Sequence, residues 1–60
     1  MAVVFWVVVS DLAAGRLVHT RPCGSQEAAK NHLEAIKEQY TSYVVEIQPL
    51  PYGTWPGVRT

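Results

Sequence analysis

Sixty residues with equal numbers of acidic and basic side chains and 48% apolar content allow one small domain and exclude a disordered, highly charged segment. A chain this short buries only about 60% of the surface its unfolded form exposes, and domains of this size usually add a disulfide, a metal or a partner subunit. The single cysteine excludes an internal disulfide, and the zero net charge argues against both a phosphate-tracking surface and an acidic mimic of nucleic acid.

The first element is Val3-Val4-Phe5-Trp6-Val7-Val8-Val9, all β-branched or aromatic and too stiff for a good helix. It lacks alternation, so both faces need cover, as in the central strand of a sheet. The apolar run from Ala2 to Val9 is far shorter than the roughly 18 residues of a membrane span. No basic residue precedes Arg16, where a secretion signal carries positive charge. A lone cysteine fits a reducing interior, so the expected compartment is the cytoplasm.

Ser10 to Gly15 breaks the strand: Asp11 can fold back on its own backbone and Gly15 supplies positive φ for a reversal. Arg16 to Arg21 mixes polar and apolar residues as an edge strand does, with Pro22 expected to end it. Ser25 is a good N-cap and Glu27 suits the positive first turn. Gln26 to Tyr40 contains neither Gly nor Pro, and Ala29, Leu33, Ile36 and Tyr40 share one helical face. Tyr43 to Gln48 reads as a third strand ended by Pro49. Order 2-1-3 keeps the wholly apolar strand in the centre, and the predicted fold is α+β: ββαβ, a three-stranded antiparallel sheet with one helix on one face, its crossover right-handed. The domain is expected over 1–50. Residues 51–60, with Pro51, Gly53, Pro56 and Gly57, read as an extended C-terminal arm.

One helix leaves one sheet face over. Placing Phe5, Val7 and Val9 under the helix with Val45 and Ile47 leaves Val4, Trp6 and Val8 as a stripe bordered by Glu46 and Gln48. Burying each such side chain stabilises by roughly 1.5–3 kcal/mol, and an apolar stripe with a tryptophan and a polar rim has the composition of an interface core. Two ways of covering it stand open. A second copy can pack on it, giving a homodimer or higher oligomer, or the arm can fold back with Tyr52 and Trp55 as a lid. The two combine if each arm covers its neighbour's sheet. The candidate interface is therefore Val4, Trp6, Val8, Tyr52 and Trp55.

Chemistry-bearing residues are sparse. Cys23 beside a helix start could be an activated thiol but reads first as a small buried residue at a strand-to-helix corner. His19, Cys23 and His32 lack the spacing of known zinc sites. There is no Gly-rich phosphate loop and no carboxylate pair beside a base or nucleophile; Glu34 and Glu38 read as solvated. No catalytic residue, metal ligand or cofactor is expected, and the predicted function is a non-enzymatic protein-interaction module. The alternative is a nucleic-acid-binding accessory domain using Arg16, His19, Arg21 and Lys30.

The segments VVVSDLAAGRLVH, PCGSQEAAKNHLEAI and YVVEIQPLP together resemble small uncharacterised ββαβ proteins of actinobacterial bacteriophages and their hosts, over about the first fifty residues. The resemblance implies a compact ββαβ protein, with the host cytoplasm as its compartment and a host protein as a further partner. It brings no catalytic residues.

Overall fold

A computed structural model describes residues 2–57. Strand β1 (Val3–Asp11) and strand β2 (Arg16–Cys23) form a hairpin, helix α1 (Gln26–Ile36) follows, and strand β3 (Val44–Pro51) closes the sheet. Both neighbours of β1 run antiparallel to it, in order β2-β1-β3, so the apolar run is central as its composition requires.

The hairpin turn is built by the residues expected to build it. Asp11 Oδ1 accepts from Ala14 N at 3.1 Å, Gly15 N donates to Asp11 O at 2.8 Å, and Gly15 adopts φ +66°. The register slips by one residue between Val9, opposite His19, and Ser10, opposite Leu17. This bulge in β2 places Leu17 beside Ser10 and leaves Val18 unpaired with β1.

Both outer strands run further than their prolines suggested. β2 continues through Pro22, opposite Trp6, to Cys23, and β3 begins at Val44 and runs through Pro49 to Pro51. The reason is that both strands lie at sheet edges, where a position whose N–H would point to solvent loses nothing to proline. Pro49 and Pro51, two apart, share that outward alternation.

The helix stops earlier than the uninterrupted 26–40 stretch suggested. Ser25 caps its start by accepting from Ala28 N at 3.1 Å, and regular helix ends at Ile36 with Lys37 as C-cap. Tighter turns follow, with Gln39 N donating to Ile36 O and Tyr43 N to Tyr40 O. They carry Tyr40 back to the sheet while freeing the chain to enter β3. The apolar helical face is as predicted: Ala29 and Ile36 are buried with Val7, Val9 and Cys23, and Phe5, Leu33, Tyr40, Val45 and Ile47 pack around them. On the solvated side Lys37 Nζ lies 2.7 Å from Glu34 Oε2. No helix among the described residues is long and apolar enough to cross a membrane.

Candidate interaction surface

The alternation of β1 puts Phe5, Val7 and Val9 beneath α1 and Val4, Trp6, Val8 and Ser10 on the other side. Directly beside this second set lie Pro22 and Thr20 on β2 and Leu50, Gln48, Glu46 and Val44 on β3. Trp6 is only 8% exposed, and Val8 and Ser10 are fully buried, so the stripe is not bare.

The cover over Trp6 comes from the chain's own arm. Tyr52 N donates to Ala2 O at 3.1 Å, extending the β1–β3 edge by one bond, and Thr54 N then donates to Pro51 O at 3.0 Å across Gly53, whose φ is +91°. Positive φ at the third residue of a four-residue turn favours glycine. The turn directs the arm onto the sheet, where the Trp55 ring sits 5.3 Å from the Trp6 ring at a tilt of 47°, within the range of favourable aromatic pairs. Gln48 Nε2 donates to Gly57 O at 3.1 Å and to Glu46 Oε1 at 3.0 Å, fixing the far end of this passage.

The cover is incomplete in two respects. Trp55 stays 78% exposed and Tyr52 80% exposed, standing over a cleft of about 330 Å³ lined by Val4, Trp6, Pro22, Tyr52, Thr54 and Trp55. On this face of β1, Trp6 Nε1 beside the cleft and Ser10 Oγ further along the strand are buried without a hydrogen-bond partner among the described residues. Each unmet buried group costs about 1–3 kcal/mol. Both lie on the face opposite the helix.

The structure therefore brings Val4, Trp6, Tyr52 and Trp55 together, with Val8 next along the same face of β1. Of the four basic candidates it brings only His19 and Arg21 together, two apart on β2 and both acting on His32. Arg16 pairs across the hairpin with Asp11 at one end of β2, Lys30 lies on the exposed side of α1 beside Gln26 and Glu27, and His19 is engaged by another ring. Cys23 is buried in the helix-side core.

One constellation escaped the sequence reading. His19 Nε2 and His32 Nε2 are 3.2 Å apart, and the His19 ring stacks on Tyr40 at 5.9 Å. The signal was available. His32 lies three residues after Ala29 and four before Ile36, at the edge of the buried helical face, while His19 alternates with Arg21 and Cys23 toward the same side. Burial, then the charge of Arg21, then that of His19 hold His32 below its usual pKa of 6.5. Among the described residues no three His, Cys, Asp or Glu side chains converge as a metal site.

No protein-family model, curated protein or solved structure matches this chain.

Proposed function

We propose that this chain is a small non-enzymatic interaction module that associates with a second copy of itself through the arm-covered face of its sheet. The observation that carries the reading is the aromatic cleft: Trp55, 78% exposed, resting on the buried Trp6, with Tyr52 equally open beside it. Aromatic side chains with an apolar body and a polar tip are enriched at interface centres.

The small core available to sixty residues suits a subunit that gains stability from a partner. In a two-fold pairing the same patch serves on both copies, and each Tyr52 and Trp55 meets the apolar wall of the other cleft.

Sedimentation velocity over about 1–100 µM tests the reading, since weak self-association falls within that range. The expected result is a concentration-dependent shift from one to two copies, with Trp55→Ala weakening it at least about tenfold, the equivalent of 1.4 kcal/mol. Trp55 is largely solvated, so the variant keeps its sheet and helix, which far-UV circular dichroism checks, while tryptophan fluorescence reports whether the arm stays seated on Trp6. A single-copy species at every concentration overturns the proposal.

A further inference from the structure

We infer that the His19–His32 pair is a pH-sensitive latch between β2 and α1, closed while the two rings share one proton between their Nε2 atoms and opened when each ring carries its own. The inference stands apart from self-association and rests on the opposite side of the sheet.

The geometry is that of a hydrogen bond. The two Nε2 atoms are 3.2 Å apart and the ring centres 5.4 Å apart, within hydrogen-bond reach. Each Nε2 here faces the other. One must donate and one must accept.

The pair bridges two elements. His19 lies on edge strand β2 and His32 on α1, and this is the one side-chain hydrogen bond joining helix to sheet among the described residues. Its surroundings disfavour extra charge. Tyr40, in the turn after α1, stacks on His19 with Tyr43 behind it, and β1 contributes the apolar Val9 opposite His19. Arg21, on the same strand, acts on His32 as a cation, and so does His19. A second proton sets N–H against N–H beside Arg21.

The direction of the pH effect follows from linkage. Unfolded His32 takes up its proton near 6.5, and folded His32 takes it up only at lower pH. Between these two values the unfolded chain binds more protons, so acid favours unfolding there. The stability is fully present above 6.5, and its loss is complete once the pH has fallen through the lowered folded-state value.

Two measurements test the latch. NMR titration of the intact chain should place the His32 ring-proton midpoint below 6.5; a midpoint at or above 6.5 overturns the inference. In thermal melts, the fall in Tm between pH 7.5 and 5.0 should be larger for the wild type than for His32→Gln, which keeps polarity but cannot titrate there. Equal falls in the two proteins also overturn it, because carboxylate titration is common to both.

Discussion

The two faces of this sheet are covered by different means, and the difference shows in their polar atoms. Under α1 lie Val7, Val9, Cys23, Ala29 and Ile36, and no buried side-chain polar atom there lacks a partner among the described residues. On the opposite face, Trp6 Nε1 under the arm and Ser10 Oγ further along β1 are both orphaned among the described residues. A helix satisfies its own backbone and presents a repeating apolar stripe, so it can seal a sheet without aligning to individual side chains. An arm without regular structure meets the sheet through a few anchors: here Tyr52 N, Gln48 Nε2 and the Trp6–Trp55 contact. The helix face is finished within one chain, and the arm face keeps exposed aromatic surface and unused hydrogen-bonding capacity.

The contrast breaks most readily on the finished side. Ile36 is 8% exposed and packs in the helix-face core, so Ile36→Ala removes buried methylenes and leaves a cavity. We expect a loss of about 3 kcal/mol in urea-induced unfolding, a large part of the stability a domain of this size holds. A loss below about 1 kcal/mol would mean that the helix is not the main seal.

The helix face could be read from sequence because its rules are periodic. Val7 and Val9 alternate on β1, Ala29, Leu33, Ile36 and Tyr40 recur on one helical side, and Val45 and Ile47 follow the same alternation on β3. Strand order followed from the apolar character of β1. The arm face was legible only as a surplus. Val4, Trp6 and Val8 declared that something must cover them, but an aperiodic segment does not encode which molecule its aromatics cover. The His pair was missed because its two members lie thirteen residues apart on different elements, one of them in a hairpin whose bulge hid the register. Strand ends were misjudged at Pro22 and Pro49 because proline breaks a ladder only where its N–H would have been used.

A smaller effect tests the turn that aims the arm. Gly53 has φ +91° with open space where a Cβ would stand, so Gly53→Ala carries a backbone cost alone, about 1–2 kcal/mol. We expect the arm to loosen while the sheet stays intact, seen as a change in tryptophan fluorescence as Trp55 leaves Trp6, with little change in far-UV circular dichroism. Unchanged fluorescence would show that the anchors beyond the turn hold the arm by themselves.

The smallest effect has the most informative sign. Ser10 is fully buried, paired in the sheet between Leu17 and Val44, and its Oγ has no partner. Replacing a hydrogen-bonded buried hydroxyl by hydrogen is destabilising, whereas removing an orphaned one relieves a desolvation penalty and leaves almost no cavity. Ser10→Ala should therefore stabilise the chain by about 1 kcal/mol, read as a rise in the urea midpoint with an unchanged slope. At protein concentrations where two copies form, an equal gain means that the hydroxyl stays orphaned after association. A gain seen only in dilute solution means that the second copy supplies its partner. A loss at every concentration would show that Ser10 is satisfied within one chain, and the two faces would then differ in shape and not in completeness.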